Sequence, residues 1–436
     1  MRNFMTKLWG DKHGNAMIIA AAALPLLIGS AGLATDTIQW ALWKRQLQRA
    51  ADSAAIAGVY DRVAAKATTG TAAAVDKDLG INNSLNSTDF PLQVKTVTYP
   101  ADDATKSLKN QVKVDLAVQR PLSFSSMFMA NAPMIKTSAT AAAVSVEGEF
   151  CVLSLQNNSK TGIQATGNAS ITMDCGMMTN STSTNAAAGQ GSSAVTATTL
   201  AAAGGIQQSS NWTVDSYQPY SPALEDPYKD LEPDSNDLST CANSPPSLSI
   251  NNSNSGLVVS GGACYSSLSI GTNRTLTFQD GVYVISGGSV NIQGTFNLIN
   301  AVLLLTNKDT GAQPIGSLDM NASGQINATS MKTGKWSGMA IYQDRRAIDN
   351  APTGNISSNS PNRINGNSTN KITGAVYFPN QQLTYNGNGT GSATCTQFVS
   401  KRIFWSGNSG INNFTAKCPG LGINVIQTSL RVRLVA

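Results

Sequence analysis

Six cysteines are the one reactive residue type that this chain sets out in a pattern: Cys151, Cys175, Cys241, Cys264, Cys395 and Cys418. Taken in order they form three couples 24, 23 and 23 residues apart, and none belongs to a Cys-x-x-Cys motif. An even number with such spacing reads as disulfides formed in an oxidising compartment, not as a zinc or redox-dithiol site. The sequence leaves the connectivity open. Pairing of consecutive cysteines is the expectation, because a chain that coils with about 20–25 residues per turn would place each couple on adjacent coils. Each such loop would contribute about 3 kcal/mol in the chain-entropy account.

Other chemistry is scarce. The only histidine, His13, precedes the first long apolar run, so a His-based triad or a His-ligated metal has no residue to use in the rest of the chain. Glutamate is absent after Glu232, and the carboxylates between 249 and 418 are Asp280, Asp309, Asp319, Asp344 and Asp349. That is a thin supply for a glycosidase pair, although two aspartates could still form one. No catalytic residue, cofactor-binding residue or metal ligand is assigned, and the expectation is a protein without enzymatic activity. The net charge of +5 is not gathered into runs, so nucleic acid is not an expected partner. Two groups could make a glycan or partner surface: Gln343-Asp344-Arg345-Arg346 with Asp349, and the aromatics Trp336, Tyr342, Tyr377, Phe378, Tyr385 and Trp405. The favoured reading of the first is a set of local ion pairs, and of the second a set of core or coil-capping rings.

The elements that would position these residues begin with a short basic tail, residues 1–15, carrying Arg2, Lys7 and Lys12. Residues 16–34 are 19 uncharged residues, about 28 Å of helix, which is roughly the thickness of the hydrocarbon layer of a bilayer. Ala16, Ile18, Ile19, Leu24, Leu26, Leu27, Ile28 and Leu33 are the expected anchor, with the transmembrane segment assigned to 16–35 and Trp9, Trp40 and Trp43 as interfacial residues. A cleaved signal peptide with a site near Ala34 competes with this reading. The continuation of helical spacing beyond it favours the anchor. Residues 36–66 predict an amphipathic stem: Ile38, Leu42, Leu47, Ala51, Ala54 and Ala55 share a stripe, with Ile56 beside it as a further contact residue. The region 67–148 predicts a small α+β domain, with strands at 92–99, 110–119 and 134–146 and a helical turn at 123–130.

From Cys151 the texture becomes short apolar beats between Gly, Asn and Ser. Residues 149–206 and 249–436 predict a large all-β domain, separated at 207–248 by a Pro-rich, acidic stretch that reads as an excursion over the surface. A parallel β-helix and a β-sandwich both fit. The cysteine interval, the recurring Gly-x-apolar-x-apolar beat and the Asn content favour the β-helix, with Asn ladders facing inward. The fold class is therefore mixed: a long N-terminal helix, a small α+β domain and a large all-β domain.

Gly14-Asn15 opens the apolar run, Asp36 closes it, and LQRAADSAAIAG (47–58) lies on the stem. In these residues the N-terminal part resembles the TadG-like branch of the Tad/Flp pilus-assembly proteins. The later part resembles members of this group with a β-helical C-terminal region, in CVLSLQNNSKTGIQATGNASITMDCGMMTNS (151–181), DPYKDLEP (226–233), GVYVISGG (281–288), GMAIYQDRR (338–346), ITGAVYFPNQQLTYNG (372–387) and VRLVA (432–436). The resemblance implies a single-pass inner-membrane protein whose bulk lies outside the cytoplasm. Its implied partners are pilins, pseudopilins and the inner-membrane platform, with membrane lipid around the anchor. Two departures narrow the inference. The prepilin peptidases of such systems expect Glu five residues after the cleaved Gly, where this chain has Ile19. The Asp-x-Ser-x-Ser metal motif of some relatives is absent.

Overall fold

The computed structural model describes residues 12–65, 67–81, 85, 92–145, 150–309, 311, 314–349, 351, 353–366, 370–387, 390–392, 395–407, 410–414 and 430–435. The chain divides into two units, Met1–Ser145 with Val432–Ala436, and Val146–Arg431.

The first unit is organised by one helix, α1 (Lys12–Ala65), 54 residues and about 80 Å long. Alanine-rich sequence keeps its helical propensity high despite the internal Pro25. It begins at Lys12, so the expected tail of 1–15 ends in helix; residues 1–11 lie outside the described residues. The helix is continuous across the expected boundary between transmembrane segment and stem. Its second half lies on a second helix, α2 (Thr71–Ile81), and on an antiparallel sheet of β1 (Val94–Thr98), β2 (Leu108–Gln119) and β3 (Met134–Ser145), which it meets through β2 and β3. The expected stripe is only half right. Leu47, Ala51, Ala54 and Ala55 are buried with Ala50 and Val59, but Ile38 and Leu42 are exposed, because among the described residues no element covers the helix at those positions. Ile56 is half-buried at the edge of the contact.

The second unit is all β. Ten strands form its longest ladder: β4 (Phe150–Ser154), β5 (Gly176–Thr179), β6 (Ala194–Ala202), β7 (Trp212–Gln218), β8 (Ala263–Tyr265), β9 (Thr275–Ser286), β10 (Thr295–Thr306), β11 (Met339–Gln343), β12 (Lys371–Gly387) and β13 (Cys395–Ser406). Every pairing between them is parallel, and their spatial order is β8-β9-β10-β11-β12-β13-β4-β5-β6-β7. The segment first in sequence is thus stacked last: Phe398, Val399 and Ser400 pair with Val152, Leu153 and Ser154. The expectation that residues 149–206 begin the stack and 249–436 continue it is corrected accordingly.

Register alignment turns this ladder into two apolar columns. Tyr283, Leu303, Ile341, Val376, Phe398, Val152, Met177 and Leu200 form an interior column. Their chain neighbours point the other way, as alternation along a strand requires. These are Cys264, Val284, Leu304, Tyr342, Tyr377, Val399, Leu153, Met178 and Ala201, and they too are buried. Burial on both faces explains the unbroken apolar runs AVLLLT (301–306) and AVYF (375–378). The expected inward Asn ladder is also corrected: Asn327 donates to Asn297 and Asn297 to Thr277, on the side opposite the buried Phe296, Leu298 and Ile326. The interior is apolar, so the amides pair where partial exposure lowers the cost of their polarity.

The last strand, β14 (Leu430–Leu434), does not extend this unit. It pairs beside β3 in the sheet of the first unit, and the Val435 amide donates to the Thr140 carbonyl. The expected boundary, 249–436, therefore runs too far; β3 otherwise leaves a free edge that this strand covers.

Candidate functional site: the apolar helix, its platform and the strap

Between Leu47 and Val59 the buried face of α1 is built almost wholly from small residues. A Cβ on Gly58 would lie 2.9 Å from Val112 Cγ1 of β2 and 3.2 Å from Val75 Cγ2 of α2, so glycine permits the close approach of helix, helix and sheet. Polar contacts fix the register around it. The Ser53 hydroxyl donates to the buried Asp78 at 3.1 Å, the Thr71 hydroxyl to Asp61 at 3.1 Å and the Arg62 guanidinium to the Gln111 carbonyl at 2.6 Å.

Further toward the N-terminus, Asp36 is buried and accepts from the backbone N–H groups of Phe124 and Ser125 and from the Ser125 hydroxyl. These groups open a short 3-10 turn, Ser125–Met127, as the helical turn expected at 123–130 required. Gly32, one turn earlier, leaves the space filled by the Phe124 ring, with which a Cβ would collide. Among the anchor residues, Ile19, Leu24, Leu26, Leu27, Ile28 and Leu33 are exposed on α1. Ala16 and Ile18 sit in the helix, with side chains outside the described ones. An exposed uncharged helical surface of this length is what a bilayer accommodates. Within the described residues one helix is long and apolar enough to cross a membrane.

Residues 14–74 match the model of the family described as "Putative Flp pilus-assembly TadE/G-like". This is a TadE/G-like segment. The match runs from the start of the apolar stretch to the first turn of α2, so it covers the exposed helix, Asp36 and the small-residue face together. No curated protein and no solved structure matches the chain. The TadE/G-like segment carries a helix long and apolar enough to cross a membrane, and it presents the stem residues Leu47, Ala51, Ala54 and Ala55 to its own platform. Asp36 was legible only as a motif position; its common role with Gly32 in seating Phe124 needs the tertiary contact.

In the β unit the candidate residues converge on a strap, residues 219–246, between β7 and the next strand. Because β7 and β8 stand at opposite ends of the ladder, the strap must travel nine strand spacings, about 43 Å. Its contacts follow the row order. Leu224 exchanges hydrogen bonds with the Asn180 side chain, and the Tyr228 hydroxyl donates to Gln397. Asp226 accepts from the Tyr377 hydroxyl and from Arg345, both at 2.7 Å. The Leu231 carbonyl accepts from the Tyr342 hydroxyl, and Asp237 accepts from Trp336 Nε1 and Lys335. The Cys241–Cys264 disulfide, Cα–Cα 4.9 Å, then ties the strap to β8. Tyr228, Tyr377, Tyr342 and Trp336 form a continuous row of ring contacts with centroids 5.0–5.4 Å apart, stacked between Tyr342 and Tyr377 and edge-on at both ends.

The strap packs over the outward column and covers Trp336, Tyr342 and Tyr377, whereas Phe378, Tyr385 and Trp405 lie in the apolar interior. Trp336, Tyr342, Tyr377, Phe378, Tyr385 and Trp405 are all buried, so none is free to stack on a glycan. The charges are likewise engaged. Asp344 pairs with Arg346 and Thr306; burial raises its pKa, but these hydrogen bonds prevail and hold it below the usual carboxylate value. Asp349 pairs with the fully buried Arg402 and with Lys401; burial again opposes ionisation, and the cationic partners overcome it and hold the carboxyl at about 2.

The cysteines follow the expected order of pairing by two different geometries. Cys151–Cys175, Cα–Cα 5.8 Å, joins neighbouring rows as the coil interval predicts. Cys241–Cys264 instead joins strap to row, so its similar spacing has another origin. Cys395 is also disulfide-bonded, and Cys418, its expected partner, lies outside the described residues.

Proposed function

We propose that this protein is a non-catalytic, membrane-anchored structural subunit of a Tad/Flp-type pilus-assembly and secretion system. The observation that carries the reading is the TadE/G-like match over residues 14–74, which falls on the exposed apolar helix and the stem that continues it. On this reading the helix crosses the inner membrane once. The disulfides support a β unit on the oxidising, extracytoplasmic side. Ile38 and Leu42, exposed just past the apolar run, are the stem residues best placed to meet pilins, pseudopilins or platform proteins. The β unit is a parallel β-helix in this proposal, a reading supported by the all-parallel ladder and its apolar interior column. Absence of catalysis is supported by the engagement of Asp344 and Asp349 in internal ion pairs.

The test is deletion of the gene with electron microscopy for pili, together with photo-crosslinking from Ile38 and Leu42 in the membrane. Lost or altered piliation with crosslinks to pilus-system subunits is expected. Normal piliation with no such crosslinks would overturn the proposal.

A further inference from the structure

The segment Pro121–Ile135 is 15 residues without a charge, bounded by Arg120 and Lys136. At its tip Met127 is 76% exposed and Phe128 74% exposed, beside the exposed Met129. Large apolar side chains clustered in this way on a turn are not accounted for by the sheet, which they leave uncovered. The position of the turn is fixed rather than free. Asp36 holds the amides of Phe124 and Ser125, and the Phe124 ring occupies the space above Gly32 while lying 5.3 Å from Phe128. Gly32 lies inside the uncharged stretch of α1 and Asp36 immediately follows it. The tip is therefore held level with the last turn of the apolar helix, a stretch on which Ile28 and Leu33 are also exposed.

We propose that Met127, Phe128 and Met129 insert into the outer edge of the same bilayer that the helix enters, as a second, interfacial contact with lipid. The proposal rests on the membrane-anchored reading above. Its surface is continuous with the apolar face of α1, and the flanking chemistry suits the headgroup layer. The Arg120 guanidinium lies 4.9 Å from the Trp43 ring and the Lys44 ammonium 5.3 Å from the Trp40 ring, amphipathic pairs of the kind that sit between hydrocarbon and water. Arg120 and Lys136 would meet anionic headgroups on either side of the inserted tip. Two contacts, the helix and the tip, would fix how the first unit tilts on the membrane, which one helix passing through a bilayer leaves free.

The experiment uses the full chain with its native disulfides, reconstituted in vesicles of phosphatidylethanolamine and phosphatidylglycerol. Phe128→Cys and Leu33→Cys are each labelled with an environment-sensitive fluorophore, and Ser107→Cys, on a polar turn of the same unit, serves as the water-exposed reference. Nitroxide-bearing lipids act as quenchers, placed near the glycerol or at mid-chain. The expected result is quenching of both the Leu33 and Phe128 labels with none at Ser107, and with the Phe128 label quenched more by the shallow nitroxide than by the deep one. Asp36→Ala should lower quenching at Phe128 severalfold while leaving Leu33 unchanged. Quenching at Leu33 but none at Phe128 overturns this inference alone, as does protection of the Phe128 label by crosslinkable contact with a second copy. Absence of quenching at Leu33 overturns the membrane-anchored reading itself.

Discussion

Replacing Tyr377 measures how firmly the strap is bound. The side chain is fully buried, its hydroxyl donates to Asp226 at 2.7 Å, and its ring touches Tyr342 and Tyr228. Burial, reinforced by the Asp226 charge, pushes its pKa far above the ordinary tyrosine value, so the hydroxyl remains a donor at any working pH. Tyr377→Phe removes a hydrogen bond to an ionised acceptor, worth about 1.5–3 kcal/mol. The lower end applies, because Arg345 still holds the same carboxylate. Tyr377→Ala also opens a ring-sized cavity under the strap, at about 3–5 kcal/mol. Hydrogen exchange of strap amides reads these losses as local opening; the Leu224 and Leu231 N–H groups are reporters, bonded to Asn180 and the Tyr228 carbonyl. At about 1.4 kcal/mol per tenfold, Tyr377→Phe should speed their exchange roughly tenfold and Tyr377→Ala by about two to four powers of ten. Exchange in Tyr377→Ala equal to that of the unmodified protein would refute the reasoning, since the strap would then not depend on the column beneath it.

Cysteines introduced at the register partners Ser154 and Ser400 should form a disulfide under mild oxidation, seen as a mobility shift after proteolysis; failure to form would contradict the joining of the first β segment to the last. Gly58→Leu should destabilise the first unit by about 1–3 kcal/mol in thermal unfolding despite the better helix propensity of leucine, because Val112 Cγ1 lies within 2.9 Å of the new Cβ. Asp349 is held at about 2, below the ordinary 3.8, so its stabilising contribution is complete above the higher value and is lost as pH falls toward the lower. Acid unfolding should show this loss between about pH 4 and pH 2. Asp349→Asn should flatten that part of the profile and destabilise the protein at neutral pH, where Arg402 would stay buried without its counter-charge.

Legibility differed by scale. The helix at 12–65, the three strands of the small sheet and the turn at 123–130 were visible because local periodicity and turn chemistry report them directly. The stem stripe was readable as a pattern but not in extent. Ile38 and Leu42 carry the same spacing as Leu47 and Ala51, and only the presence or absence of a covering element separates buried from exposed. Likewise Cys151 and Cys241 have nearly the same distance to their partners, yet one pair joins rows and the other pins a strap.

By itself the sequence determined that an uncharged helix leads into a stem and that the remainder is β-rich, with cysteines spaced for disulfides. Composition and short-range alternation encode those properties window by window. The order of the rows, the return of β14 to the small sheet and the burial of the aromatic column were decided only by the tertiary structure. Parallel rows offer nearly equivalent apolar edges, so no local window states which row follows which. A column of tyrosines reads the same whether it faces water or a strap. Their placement follows from which edges close and which faces are covered once the whole chain is folded.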